Sequence, residues 1–252
     1  MSLTKLQIDH YHSRGFIVIP NPLSDEAMAE IDTLQKEIEP RWSEMEFPGN
    51  VNPLAAQMLM AGEPIFEMIE NPGLIEMAKE ILDVDRVEIA AFGMGDSSLA
   101  VGGEQKQVQW HSDNFGNVKQ VAIRVGLDRH DGDNAPLRII PGSHKRDVAE
   151  FKQELYENEM ASCPEEIPPK SLFAKHPDEI EIILDTPIML VWTANCWHST
   201  GKKTSTRLRR VVTWHYFAPG YDNPFQATVL HTLDGVWQKW SGERKKLWGL
   251  SE

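Results

Sequence analysis

The chain has 252 residues, enough for one large domain or two small ones around a sizeable core. Apolar residues make up 41% and charged residues 25%, a balance that excludes a disordered, collagen-like or coiled-coil chain. Acidic residues outnumber basic ones 38 to 25, a net −13, which argues against a nucleic-acid binder held by phosphate neutralisation.

The charge is uneven: residues 201–252 carry 9 Lys/Arg against 4 Asp/Glu, which suits an anionic cosubstrate without attracting polyanions. Two cysteines, Cys163 and Cys196, are too few for a disulfide framework and fit a reducing compartment. The sequence has no long apolar run, and its start lacks the layout of a signal peptide. The expectation is a cytoplasmic protein with no membrane association. Oligomeric state is not legible.

Along the chain, residues up to about 84 read mostly as helix. Leu6, His10 and Tyr11 lead into a short strand, Phe16 to Pro20. Ser24 is an N-cap for a helix carrying Ala27, Met28, Ile31, Leu34 and Ile38. Another helix begins near Asn71-Pro72 and carries Leu74, Ile75, Ala78, Ile81 and Leu82. The intervening Glu46 to Gly62, rich in Met, Pro and Asn, is long for a connection and reads as a mobile covering loop, a candidate lid.

From about 86 to 219 the period changes to two. Val87, Ile89 and Ala91 alternate, as do Gln107, Gln109 and His111, and then Val121, Ile123, Val125 and Leu127. Further strands read at 137–140, 181–184, 188–192 and 210–217, with a charged helical insert at 144–160. Beyond 222, Val229, Leu233, Val236, Trp237 and Trp240 fall at near-helical spacing. The whole chain, 1–252, reads as one domain: a strand-rich sandwich or small barrel padded by helices.

Two His-x-Asp sequences occur, and one is expected by chance. His176-Pro177-Asp178 has a proline and no strand pattern before it, so it is rejected as a site. His111 and Asp113 lie at i and i+2 on a strand, where both side chains reach one cation from the same face. His198, read as ending the strand 188–192, is a third donor. Two imidazoles and one carboxylate leave three neighbouring positions open on an octahedral iron(II). From spacing alone, His198 is either that third ligand or an ordinary hydrogen-bonded histidine.

Arg207, Arg209 and Arg210 form the next feature. Arg209, Val211, Thr213 and His215 share one strand face, and Arg210, Val212, Trp214 and Tyr216 the other. A guanidinium at a barrel mouth suits a carboxylate; the alternative is that these are solvated surface charges.

The segment Asn134-Ala135-Pro136-Leu137-Arg138-Ile139-Ile140-Pro141-Gly142-Ser143-His144 resembles a signature of the phytanoyl-CoA dioxygenase family of iron(II)/2-oxoglutarate-dependent oxygenases. The order agrees over roughly residues 5–220. Gly15-Phe16-Ile17-Val18 and the His111-x-Asp113 pair come before the signature, and His198 and the arginine-rich strand after it. The resemblance implies a mainly β fold with flanking helices, a cupin-like double-stranded β-helix (jelly roll).

It also implies that His111, Asp113 and His198 ligate Fe(II), and that Arg209 clamps the distal carboxylate of 2-oxoglutarate. The activity implied is oxygenation with O2, by default hydroxylation of an unactivated C–H bond of a small metabolite, releasing succinate and CO2. Asp113 counts against a related halogenase, in which a small residue replaces the carboxylate. A different class, a non-catalytic metal-binding jelly roll with a binding or regulatory role, would bind metal without turning over 2-oxoglutarate.

Departures from the family pattern fall at turns. Asn134-Ala135 stands where Asn-Gly is common, and Leu184-Asp185 where Gly-Asp is common. The stretch between His198 and Arg209 lacks a common asparagine, and Thr204 and Ser205 are expected to replace its turn bonding. Gln107 and Gln109 share the His111 face and either contact cosubstrate or substrate or simply line the barrel. Arg124 points into the barrel, as an acid-binding group, if Val121, Ile123, Val125 and Leu127 pack outward, and into solvent if they do not. His144 is expected to fix its loop.

Overall fold

The computed structural model describes residues 2–42, 45–96, 110–113, 118–160, 175–223 and 225–250. Among these, five antiparallel strands form the larger sheet, in the order β1 (Phe16–Pro20), β6 (Ile188–Trp192), β3 (Gln120–Gly126), β8 (Arg210–Phe217), β2 (Glu88–Asp96). A smaller sheet runs β5 (Ile180–Ile182), β4 (Leu137–Ile139), β7 (His198–Thr200). A backbone bridge between His111 and His198 ties the 110–113 segment to β7.

Period-two alternation sorts side chains between two cores. On β3, Val121, Ile123 and Val125 join Met189, Val191, Val212 and Trp214 under the helices. Ala122 instead joins Leu190, Trp192, Leu137, Ile139 and Ile182 between the sheets. Helices cover one face of the larger sheet and the smaller sheet covers the other, which is a double-stranded β-helix, or jelly roll.

The covering helices begin where the sequence signals them. α1 (Lys5–Arg14) opens with a Thr4–Gln7 capping box and stops at Gly15, whose φ is +86°. A side chain on Gly15 would also collide with Cys196 Sγ, so no other residue fits there. α2 (Asp25–Trp42) takes a bond from Ala27 N–H to Ser24 Oγ at 3.2 Å. α5 (Pro72–Leu82) is capped by Asn71, with Pro72 in its first turn.

The 46–62 stretch differs from expectation. It contains helix α3 (Pro53–Met60), capped by Asn52, with Ala55, Ala56, Met58 and Leu59 buried. Leu54 meets β2 at Gly93. This segment therefore belongs to the outer core and is not a lid. A short helix that the sequence reading missed, α4 (Glu63–Ile69), follows directly.

The insert after β4 is a 3-10 turn at Ser143–Lys145 followed by α6 (Val148–Glu157). The C-terminal pattern breaks into α7 (Gln226–Thr232), a 3-10 turn at Trp237–Lys239 and α8 (Gly242–Leu247). Trp240 and Trp248 pack edge-on against Phe66 of α4, at 5.7 and 5.6 Å between ring centres. No described helix is long and apolar enough to cross a membrane.

Candidate metal centre

The Pro-Gly-Ser-His element acts as a clamp. Gly142, at φ +78°, donates its N–H to the Arg14 carbonyl at 2.8 Å. Ser143 Oγ donates to Ile140 O at 2.7 Å and accepts from Trp197 N–H at 2.8 Å. His144 fixes the same corner, as expected: Nε2 faces His12 O at 3.3 Å and Nδ1 faces Cys196 Sγ at 3.3 Å. The 193–197 turn is thereby pinned, and His198 opens β7 in the smaller sheet. The expectation that His198 ends the strand 188–192 is corrected: the Thr193–Trp197 turn separates them, and His198 crosses to the other sheet.

His111 and His198 exchange both backbone hydrogen bonds, at 3.0 and 2.9 Å, so their side chains stand opposite one another on one face. Their ring centres are 4.1 Å apart. Asp113 N–H donates to Ala194 O at 3.1 Å, and Ser112 Oγ to Asn195 O at 3.0 Å. One donor atom from each of His111, Asp113 and His198 lies within 4.8 Å of the others. Among the described residues, no other group of three or more His, Cys, Asp or Glu side chains is so gathered.

The donor set fits a divalent metal. His198 Nδ1 lies 2.9 Å from the Cys196 carbonyl, which can only accept, so Nδ1 carries the proton and Nε2 presents its lone pair. Burial, the His111 ring and Arg124 hold His198 well below the ordinary imidazole range, which keeps it neutral and able to ligate. Trp192 stands edge-on to His198 at 4.5 Å. Asp113 keeps 35% of its side-chain surface and His111 46%, so the site is open on the side of these two residues. Partial loss of hydration raises Asp113, against the pull of His111 and Arg124.

The three arginines separate. Arg207 is half-exposed and pairs with Asp131 and Asp133. Arg210 is not a solvated charge, because it points to the helical side and is buried against Asp128 and Asp32, at 2.8 and 2.6 Å. Arg209, 2% exposed, donates Nε–H to Ala135 O at 2.6 Å. The turn before it is held as expected: Thr204 and Ser205 N–H groups donate to Asp133 O at 2.8 and 3.0 Å, and Ser205 Oγ donates to Asn134 Oδ1 at 2.8 Å.

Since Val121, Ile123, Val125 and Leu127 all lie in the helix-covered core, Arg124 faces inward, beside Thr213 of β8 and Leu190 of β6. Burial lowers it to about 10, with Asp113 opposing, so it stays charged at neutral pH.

Two inward histidines were given no role in the sequence reading. His130 is fully buried, and burial followed by Arg209 and Arg124 pushes it down to about 3. His215 is lowered to about 3 by burial. The shared face of Arg209, Val211, Thr213 and His215 was the available signal for the second. Gln107 and Gln109 lie outside the described residues. His176 of the rejected His-x-Asp accepts from Asp178 N–H at 3.1 Å and packs against Trp110 and Phe151, away from the triad.

The family model for phytanoyl-CoA dioxygenase (PhyH) matches residues 11–211. The chain belongs to this family. A curated relative, the ectoine dioxygenase of Bordetella parapertussis, is 23% identical over 163 residues, 59% of this chain and 52% of its own length. The chain thus spans about half the length of the curated relatives it matches.

Among solved structures, HygX from Streptomyces hygroscopicus, with nickel and 2-oxoglutarate bound, superposes with a TM-score of 0.67 at 13% identity. That match covers 87% of this chain and 89% of HygX. EctD from S. alaskensis, with 2-oxoglutarate and 5-hydroxyectoine, gives 0.61 at 17% identity, covering 88% and 79%. These likenesses carry the jelly-roll fold of the family.

Proposed function

We propose that this chain is an iron(II)- and 2-oxoglutarate-dependent oxygenase that hydroxylates an unactivated C–H bond of a small molecule, releasing succinate and CO2. The observation that carries the reading is the gathering of His111, Asp113 and His198 within 4.8 Å, with Arg209 buried immediately before β8. A relative named ectoine dioxygenase and a neighbour holding 2-oxoglutarate support it.

His111, Asp113 and His198 would hold iron(II), since two imidazoles and one carboxylate suit this metal. Iron bound there supplies the redox chemistry that couples oxidation of the keto acid to oxygenation of the substrate. The rest falls to the chain. Cys196 O fixes the His198 tautomer, Ala135 O holds Arg209, which would pair with the distal carboxylate, and Trp192, edge-on to His198, excludes water on that side. Gln109 is retained as a polar contact to cosubstrate, and Asp113 favours oxygenation over halogenation. The chain, 1–252, is read as one domain, because α3, α5 and Trp248 share one core with β1 and β8.

The test is anaerobic addition of iron(II) and 2-oxoglutarate, watching for the visible charge-transfer band of the chelated keto acid. Wild type should show it, His198→Ala should lose it, and Arg209→Ala should need more 2-oxoglutarate. No band in metal-loaded wild type would leave a metal-binding barrel without this chemistry.

A further inference from the structure

Arg124 is a cation without an assigned anion. Among the described residues its guanidinium makes no hydrogen bond or ion pair, and its Nε is buried without a partner. The anionic group acting on it is Asp113, which is itself a candidate metal ligand. Of the other deeply placed guanidiniums, Arg138 and Arg210 each sit against carboxylates, and Arg209 donates to the Ala135 carbonyl and is already assigned to the cosubstrate. Arg124 keeps part of its surface, so its outer guanidinium nitrogens can reach a ligand, while its buried Nε lacks the partner a ligand would supply.

Its position narrows the ligand. Arg124 lies on the inner face of the central strand β3, and its field reaches Asp113, His198 and His130, the last of which also feels Arg209. It therefore stands beside the path from the triad to Arg209. Under the oxygenase reading, on which this inference rests, a divalent metal and Arg209 together balance Asp113 and both carboxylates of 2-oxoglutarate. The buried histidines His130 and His215 are neutral. Among the described residues Arg124 is then the surplus positive charge inside the barrel, and it calls for one more monoanion close to the metal.

We propose that Arg124 anchors the carboxylate of the primary substrate, so that the substrates are small organic acids. A guanidinium offers two parallel donors to a carboxylate and sets the acid's orientation, which decides the carbon presented for oxidation. A neutral analogue would leave those donors desolvated and unpaired.

The test uses protein loaded anaerobically with iron(II) and 2-oxoglutarate. Aliphatic and aromatic monocarboxylic acids, each beside its primary amide, are titrated calorimetrically into wild type, Arg124→Gln and Arg209→Gln. Wild type should bind at least one acid and reject its amide. Arg124→Gln should weaken that acid by about tenfold or more while its affinity for 2-oxoglutarate stays within about twofold. Arg209→Gln should weaken 2-oxoglutarate.

Equal loss of 2-oxoglutarate in both variants would make Arg124 part of the cosubstrate site and overturn the proposal. So would wild type that binds 2-oxoglutarate but none of the acids. Wild type that binds no 2-oxoglutarate would remove the oxygenase reading and this inference with it. A second readout needs neither metal nor cosubstrate: Tm of the metal-free Arg124→Gln should rise by a few degrees, because an uncompensated charge is gone. A fall would mark Arg124 as a structural cation and sink the idea.

Discussion

The Ala135 carbonyl accepts the Nε–H of Arg209 at 2.6 Å, from a residue held at φ +50°. That left-handed backbone sits where family members commonly have glycine, and alanine is the smallest side chain that tolerates it. The turn is held from both sides. Asn134 Nδ2 donates to Arg129 O at 2.7 Å and to Leu208 O at 2.9 Å, which fixes the chain one residue before Arg209.

A β-branched side chain at position 135 should break this arrangement. Ala135 is fully buried, so Ala135→Val adds both left-handed strain and overpacking. The expected cost is about 2–4 kcal/mol, read from denaturant midpoints. Arg209 loses its orientation with the turn, so 2-oxoglutarate binding should weaken while metal binding holds. Wild-type stability and cosubstrate affinity in this variant would show that the turn does not position Arg209.

Much of this site was legible because its signals are local. His111-x-Asp113 and Pro-Gly-Ser-His are short and keep their geometry through one turn or one strand. Alternation along β3 put Arg124 opposite Val121, Ile123, Val125 and Leu127 but left open which face lay inward, because that depends on where the helices pack and on strands far apart in sequence. β7 escaped because it has only three residues after a turn. α3 and α4 escaped for a different reason. α3 is apolar along most of its length, so Ala55, Ala56, Met58 and Leu59 show no polar face, and Asn52-Pro53 read as a loop although it is a helix start; α4 has only seven residues, too few to show a period.

The Ser143 hydroxyl should matter to the metal centre without touching it. It is the acceptor for the buried Trp197 N–H, adjacent to His198. Ser143→Ala leaves that N–H unsatisfied, at a cost of about 1–3 kcal/mol. Because β7 then starts less firmly, metal affinity should fall by about tenfold or more, as for other groups that orient a ligand. A metal titration monitored by tryptophan fluorescence reads this directly. Unchanged affinity beside reduced stability would confine Ser143 to the fold.

His130 should give stability an acid limb that begins near neutrality. Its Nε2 lies 3.1 Å from Arg210 O, its Nδ1 has no partner among the described residues, and protonation would add a cation beside Arg209 and Arg124. The folded value, about 3, lies below the ordinary 6.5, so this contribution is complete above about pH 6.5 and is lost as pH falls toward 3. The slope over that interval is about 1.4 kcal/mol per pH unit. His130→Gln, which retains a donor toward Arg210 O, should flatten the dependence by one proton. The same slope in both proteins would assign the limb to other groups.

Arg207 and Arg210 differ by three positions, yet removing the first should leave stability unchanged and removing the second should lower it. Arg207 is half-exposed, and solvent screens its pairs with Asp131 and Asp133, so Arg207→Met should leave the unfolding midpoint unchanged. Arg210 is 3% exposed and binds Asp128 through Nε and Nη2, at 2.9 and 2.8 Å, with Asp32 and Gln35 of α2 completing its shell. Arg210→Met strands Asp128 and Asp32 and should cost about 3 kcal/mol. Burial alone would raise Asp128, but Arg210's hydrogen bonds and charge outweigh it and hold the carboxyl below its ordinary 3.8. The pair therefore stabilises the fold above about pH 3.8 and stops doing so as pH falls below that value. In Arg210→Met the acid midpoint should move to higher pH, and in Arg207→Met it should stay in place. Acid titrations of both variants, followed by circular dichroism, would separate a buried brace from a surface pair.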